Sequence, residues 1–338
     1  MTNTRLSSSL DLSSLGQPLY RAGNEVFYSC PNCTKEMGVN EVKGVFRCFR
    51  CDYKGKLVNF TKVQHFNSIE IEQSKLIEIC KWILDNSPVG EDEIDFLRNR
   101  SVPVIDKQFA RTSPSLIKQL AKEFDFDYLL KSGVYQETKA GPRLSRWLSP
   151  GRLVIGWYDI NRELYGIQTR SLEDHDYLFP RGSKIGSKLF SPLNNPANQK
   201  ELIITEGAFK AIVGADYGFE TYAINGIAAV NNKEILASLA KLISRVRRYF
   251  VAIDADVNWK DKEHVLQAML GLLRIDPKKS ALLVLGNGEK KVDLDEYLID
   301  SSAKDIEHRL ETCWDSKVDL YRYVRQRIWT LRTSSNTA

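Results

Sequence analysis

The order of apolar and polar residues divides the chain into stretches of different period. Before residue 70 the pattern is short-ranged. Met37, Val39 and Val42, then Val45 and Phe46, alternate with other residues and predict a small antiparallel sheet. The stretch LVNFTKVQHF behind them reads as a closing helix or strand. Between residues 70 and 135 the period lengthens to that of helices. IEQSKLIEICKWILDN repeats apolar residues at three- and four-residue steps and stops at Pro88 and Gly90. EDEIDFLRNR opens another helix that ends near SVP, and SPSLIKQLAKEFDFDYLLKSG adds one or two more before Gly133. From residue 141 strands take over, with RLVIGWYDI and LYGIQTRSL flanking the hairpin-like NRE. Residues 174–199 form a loop rich in Gly, Pro, Ser and Asn. Its basic run RGSKIGSK suits either phosphate binding through backbone amides or plain connection.

Residues 200–300 then alternate strand and helix: ELIIT, AFKAIVGADYG, TYAING, NKEILASLAKLISRV, RYFVAID, KEHVLQAMLGLLR and ALLVLG. This order implies a parallel sheet covered by helices, in which ligands gather beyond the carboxyl ends of the strands. The remaining residues, 301–338, read as helix with a polar end.

Composition narrows the class. With 338 residues, 43% apolar and 27% charged, the chain can bury cores for two or three domains, which argues against disorder. No apolar run of about 18 residues occurs, so no membrane association is expected. The polar, serine-rich start MTNTRLSSSLDLSSLG lacks the apolar centre of a signal peptide. These features predict a cytoplasmic protein with a loose tail over residues 1–20. The net charge of +5, from 48 Lys and Arg against 43 Asp and Glu, does not by itself identify a partner. Residues 21–66 are locally basic, with eight Lys or Arg against four Asp or Glu.

Four of the six cysteines lie in this basic segment. Cys30, Cys33, Cys48 and Cys51 give C-x2-C-x14-C-x2-C, so that two tight turns each present a thiolate pair to one tetrahedral ion. Four soft sulfurs favour Zn2+, and a closed four-sulfur site makes it structural. The exposed side of the ribbon should carry Lys43, Arg47, Phe49, Arg50, Tyr53, Lys54 and Lys56. Such a mixture of cations and rings suits single-stranded nucleic acid. The ribbon can equally staple a small domain together or dock protein.

The second chemistry is carboxylate. Glu206 follows ELIIT, while Asp254 and Asp256 follow RYFVAI, so three acids meet at one edge of one sheet. Gly207 allows a sharp turn into the next helix. Two acids two residues apart on a strand end point to one side, which suits a hard cation such as Mg2+. Solvated turn residues are the plainer reading of either motif alone. Asp293, Asp295 and Glu296 form a third acidic group, as further metal ligands or as the acidic first turn of a helix. His65, His175, His264 and His308 are scattered, and no GxxxxGK[ST] phosphate loop is present.

Taken in order over residues 25–300, these stretches resemble the bacterial DnaG-type DNA primases. CPNC, VFRCFRCDYKGKLVNF, DFLRNRSVPVIDKQFARTSP and SGVYQETKAGPRLSRWLSPGRLVIGWYDINRELYGIQTRSL carry the likeness. Glu206, Asp254 and Asp256 match the EG and DxD motifs of the Toprim fold, and Asp293 and Asp295 match its later acidic pair. The resemblance implies an α+β and α/β multidomain architecture: a zinc ribbon over 21–66, a helical and mixed α/β polymerase core over 70–199, a Toprim domain with a helix-flanked parallel sheet over 200–300, and a helical tail over 301–338. It implies RNA primer synthesis on a single-stranded DNA template from nucleoside triphosphates, with Mg2+ or Mn2+ at Glu206, Asp254, Asp256, Asp293 and Asp295. Arg170 stands where the family has a basic residue implicated in binding template or nucleotide. Arg47, Arg50, Lys54, Arg146 and Lys188 are further candidates for the strand or the triphosphate.

Two departures matter. The family has an acidic residue four positions after the glutamate, where this chain has Lys210. That cation either stands in for one metal's charge, contacts a phosphate, or marks loss of the full metal set. The family's helicase-binding domain has no counterpart in the 38 residues after residue 300, so contact with a replicative helicase would use that tail or another surface. The length fits compact primases of plasmids, phages or other mobile elements. A Toprim nuclease and a non-catalytic zinc-stabilised DNA-binding or loading factor are the alternatives.

Overall fold

The computed structural model describes residues 8–22, 25–40, 43–48, 50–51, 53–58, 71–138, 141–174, 176–196, 200–253, 263–283 and 294–335. Two compact units divide between Ser68 and Ile69.

The first unit is a six-stranded sheet of β1 (Ser8–Asp11), β2 (Tyr20–Ala22), β3 (Glu25–Ser29), β4 (Glu36–Asn40), β5 (Val45–Cys48) and β6 (Lys54–Val58), in the order β1-β6-β5-β4-β3-β2. Strands β2 to β6 form an antiparallel meander, as the alternation of Met37, Val39 and Phe46 predicts. Leu10, Val26, Tyr28, Met37, Val39, Phe46 and Leu57 fill its core. Residues 8–11, expected within a loose tail, form β1, which pairs in parallel with β6, Leu10 opposite Leu57. Parallel pairing joins residues far apart in sequence, so no local pattern announces it.

The second unit begins with α1 (Gln73–Asn86) and α2 (Glu91–Asn99), then β7 (Phe109–Arg111), α3 (Pro114–Glu123), α4 (Phe126–Lys131) and a hairpin of β8 (Tyr135–Thr138) and β9 (Gly141–Leu144). Ser113 caps α3 by accepting from Leu116 N–H at 3.1 Å, and Asp125 caps α4 by accepting from Tyr128 N–H at 2.7 Å. Strands β10 (Arg152–Tyr158), β11 (Leu164–Ser171) and β12 (Tyr177–Leu178) join β7 in an antiparallel sheet of order β12-β11-β10-β7. Every residue of β10 is buried. Its two faces serve different cores: Val154 packs with Leu76, Ile79 and Ile83 of α1, while Leu153, Ile155 and Trp157 belong to a second cluster.

That second cluster continues into a parallel sheet. Its elements are β13 (Glu201–Glu206), α5 (Ala208–Asp216), β14 (Glu220–Ile224), α6 (Lys233–Arg245), β15 (Arg248–Ala252), α7 (Glu263–Leu273) and β16 (Ser280–Leu282). Helices α8 (Leu294–Asp300), α9 (Ala303–Asp315) and α10 (Lys317–Ser335) follow. The strand order is β14-β13-β15-β16, all parallel. One face packs under α5, α8 and α9 together with β10, and the opposite face under α6, α7 and α10. Burial on both faces explains the unbroken apolar runs LIIT and YFVA.

This order has a consequence for ligands. From β13 the chain passes through α5 to one neighbour, then through α6 on the opposite face to the other neighbour. The connections therefore diverge between β13 and β15 and leave a crevice at their carboxyl ends. Glu206 ends β13, and β15 ends at Ala252, two residues before Asp254.

Candidate metal centre and carboxylate cleft

In the first unit the sequence spacing becomes a tetrahedral cluster. Cys30 follows β3, Cys33 lies in the next turn, Cys48 ends β5 and Cys51 lies in the turn to β6. Their Sγ atoms all lie within 4.8 Å of one another, with Cys30 to Cys51 at 3.7 Å and Cys33 to Cys48 at 3.6 Å. Four sulfurs about 2.3 Å from one Zn2+ stand about 3.8 Å apart, so the set fits that ion. The knuckle amides prepare the charge. Cys51 is drawn down to about 6 by hydrogen bonds from the Asn32 side chain and from Tyr53 N–H. Cys48 is lowered by the N–H groups of Cys51 and Arg50, whereas burial raises Cys30. Four clustered thiols cannot all ionise without a cation among them.

On the same sheet Arg47 and Lys54 are direct cross-strand partners, both exposed, and Arg50 is exposed in the following turn. Like charges placed opposite one another on a sheet are mutually unfavourable and favour an anionic partner. Tyr53 is not a free platform. Its ring tilts against Phe46 at 5.0 Å and joins the core. Phe49 lies outside the described residues.

The second unit carries the carboxylate site. A cleft of about 440 Å³ opens at the carboxyl ends of β13 and β14, with Glu206, Gly207, Lys210, Asn225, Gly226, Phe209, Arg100, Gln168, Tyr177 and Asp295 in its wall. Gly207 adopts φ 85°, ψ 147°, a conformation open to glycine, and turns the chain from β13 into α5. Its N–H donates to Ile224 O at 3.1 Å, which holds the Glu206 backbone against the end of β14. Thr205 Oγ1 donates to Ala252 O at 2.9 Å and ties β13 to β15 at the point where the Asp254 segment begins. Glu206 is half-buried, and Asp295, in the first turn of α8, is buried. Asp254, Asp256 and Asp293 lie outside the described residues.

Two cations share the cleft with these acids. Lys210 stands in the first turn of α5, and Arg100 follows α2. The Arg100 guanidinium lies 3.7 Å from Asp295 Oδ2 and over the Phe209 ring at 5.4 Å. Arg100, Gln168 and Tyr177 were not among the residues that the sequence pointed to. RNRSVP looks like an ordinary helix end, and only tertiary packing, with Phe96 of α2 against Phe209 of α5, carries Arg100 to Asp295.

The remaining basic candidates scatter. Arg170 is buried, with its guanidinium 4.5 Å from the Phe96 ring centre, Nε donating to Tyr177 Oη at 3.0 Å and Nη1 donating to Ser171 O at 2.9 Å. It therefore supports Tyr177 from behind, and Tyr177 faces the cleft. Arg146 is 82% exposed beside Asp176, which Arg152 also holds at 3.1 Å. Lys188 is paired with Asp159 at 3.3 Å and sits over the Tyr165 ring, so the RGSKIGSK loop ends in an ion pair.

No protein-family model and no curated protein matches the sequence. Solved structures do match. The zinc-binding and RNA polymerase domains of the Aquifex aeolicus primase align over 89% of this chain and 81% of that one, with a TM-score of 0.55 and 16% identity. A DnaG primase catalytic domain bound to single-stranded DNA aligns over 71% and 81%, with a TM-score of 0.54 and 18% identity. The E. coli primase catalytic core aligns over 71% and 79%, with a TM-score of 0.54 and 17% identity. The chain shares the fold of the bacterial DnaG-type primase structures.

Proposed function

We propose that the chain is a DNA primase that synthesises short RNA primers on single-stranded DNA. The observation that carries this reading is the cleft at the carboxyl ends of β13 and β14, lined by Glu206 and Asp295, on a primase fold that also bears a four-thiol metal centre. In the proposed reaction the 3′-hydroxyl of the growing primer attacks the α-phosphate of a nucleoside triphosphate and pyrophosphate leaves. Such a step needs positioning and charge neutralisation more than a protein nucleophile.

Glu206, Asp254 and Asp256, with Asp293 and Asp295, are the proposed ligands of Mg2+ or Mn2+. Bound there, the ion would neutralise phosphate charge and lower the pKa of the attacking hydroxyl. Lys210 and Arg100 supply fixed positive charge in the same cleft. Lys210 adds its charge to the positive end of α5, a place that favours an anion. The triphosphate is the anion proposed for this place. Arg47, Arg50 and Lys54 on the ribbon, with Arg146 and Lys188, are proposed to meet template phosphates. Arg170 is proposed to act through Tyr177.

The test is incorporation of labelled nucleotides on mixed-sequence single-stranded DNA with Mg2+ or Mn2+. Short products from the wild type that disappear in Asp254→Ala plus Asp256→Ala establish the activity and its acids. Lys210 and Arg100 inside the cleft favour one further reading, a DNA-binding factor on a primase scaffold. Folded, zinc-loaded protein that binds DNA but makes no product would favour it, and cleaved template would indicate a nuclease.

A further inference from the structure

A second concavity lies on the opposite face of the parallel sheet. Helices α7 and α10 and the turn Ile227–Asn231 enclose a groove of about 680 Å³. Val230, Ala268 and Ile328 contribute buried apolar side chains to its wall. His264, Arg274, Arg325 and Trp329 are its exposed ionisable and aromatic side chains. Arg325 and Trp329 stand one turn apart on α10 and share a face, while Val324 and Ile328 beside them turn into the core. Trp329 is 67% exposed, more than any other large apolar side chain among the described residues.

The charge around this indole selects among occupants. Arg274, just beyond the end of α7, and Arg325 on α10 line the groove beside it, and no Asp or Glu is among the described residues of its wall. The acid at the start of α7, Glu263, accepts a hydrogen bond from Gln267 Nε2 at 2.5 Å. A second copy of the chain meeting this groove face to face would bring the same cations to the contact and be repelled. A partner that is anionic along its length and carries flat rings meets both features, since bases stack on an exposed indole while phosphates meet the arginines.

We propose that this groove is a binding track for single-stranded nucleic acid, distinct from the carboxylate cleft. Its position suits that use. Asn225 and Gly226 line the cleft and Ile227 lines the groove, so consecutive residues of one connection form a wall of each. A strand lying in the groove would be one short turn from the acids.

The test uses the full chain with zinc and neither nucleotide nor divalent cation at the cleft. An oligonucleotide substituted with 5-iodouracil is crosslinked by light, and the adduct is mapped by mass spectrometry. The expected adduct is on the α10 peptide that contains Trp329. Anisotropy should show that Arg274→Glu plus Arg325→Glu weakens binding about tenfold and flattens its salt dependence, while Trp329→Phe retains most affinity and Trp329→Ala does not. Thermal melts establish that the variants are folded, and the wild-type adduct stands without them. Adducts confined to other peptides, with unchanged affinity in the double charge reversal, would overturn the proposal. So would a wild-type dimer that Trp329→Ala dissociates in sedimentation, which would make the groove a contact between copies.

Discussion

Two places in this molecule gather groups that repel one another when ionised. At the knuckle four thiols from two turns converge within 4.8 Å, and hydrogen bonds from those turns lower the Cys48 and Cys51 thiols. Every ligand and most of the preparation come from residues 30–53. The carboxylate cleft draws Glu206 from a strand end, Asp295 from a helix start 89 positions later and Arg100 from a helix end 106 positions earlier. It carries cations within itself. The knuckle is a local device with uniform donors whose charges require an ion, whereas the cleft is assembled by the fold and sets cations beside its acids. The difference teaches that loss of zinc should unfold the first unit, whereas loss of the ion proposed for the cleft should leave the second unit folded.

The largest expected effect tests that contrast directly. Removing zinc by chelation, or introducing Cys48→Ser, should collapse the β1–β6 sheet, because structural zinc contributes about 10–16 kcal/mol of binding free energy that is also folding free energy. Hydrogen exchange should then show lost protection over residues 8–58, with the parallel sheet of the second unit still protected. Equal loss in both units would break the comparison.

At the cleft, Glu206→Gln should lower nucleotide incorporation by about a hundredfold or more while leaving the denaturation midpoint of the second unit nearly unchanged, since Glu206 is half-buried at a strand end. Urea titration alongside the incorporation assay separates the two effects. Arg100→Ala should do the reverse in part. It removes the guanidinium beside buried Asp295 and should cost about 1–3 kcal/mol, less than a fully buried pair because Arg100 is 34% exposed.

The smallest effect is a titration at the amino end of β15, the end of the parallel sheet opposite the cleft. Arg248 hydrogen-bonds Glu311 at 2.5 Å and holds its carboxyl below the usual range. A folded value below the unfolded one means that stability is present at neutral pH and is lost as pH falls through the folded value. The melting temperature of wild type should therefore exceed that of Glu311→Gln slightly near neutrality, and the gap should close in acid. A gap that persists in acid would assign Glu311 a packing role.

Much of the framework was legible along the chain because it rests on local periods. The three- and four-residue repeat in IEICKWIL becomes α1, with Ile79, Cys80 and Ile83 buried, and the apolar runs RLVIGWY and LYGIQTRS become β10 and β11. Alternation from residue 200 yields the parallel sheet. What escaped was short or long-ranged. Strand β7 has three residues and exists through pairing with β10, and β1 exists through parallel pairing with β6. The basic residues were the least legible. A cation looks the same in sequence whether it ends buried under a tyrosine, as Arg170 does, or 82% exposed, as Arg146 is.

The sequence by itself determined the four-thiol centre, because two Cys-x2-Cys turns bring their own ligands and amides together wherever the ribbon sits. It also determined that Glu206 would stand at the carboxyl end of a parallel strand, since the strand ends where its apolar run ends and Gly207 permits the turn. Only the tertiary structure decided which charges share that place. The crossing of α5 and α6 to opposite faces opened the crevice, the packing of α2 brought Arg100 to Asp295, and the seating of α10 on α7 left Trp329 and Arg325 at the edge of a groove. Contacts of that kind depend on the relative placement of whole helices and sheets, which is fixed by burial summed over the core and leaves no mark at the residues it joins.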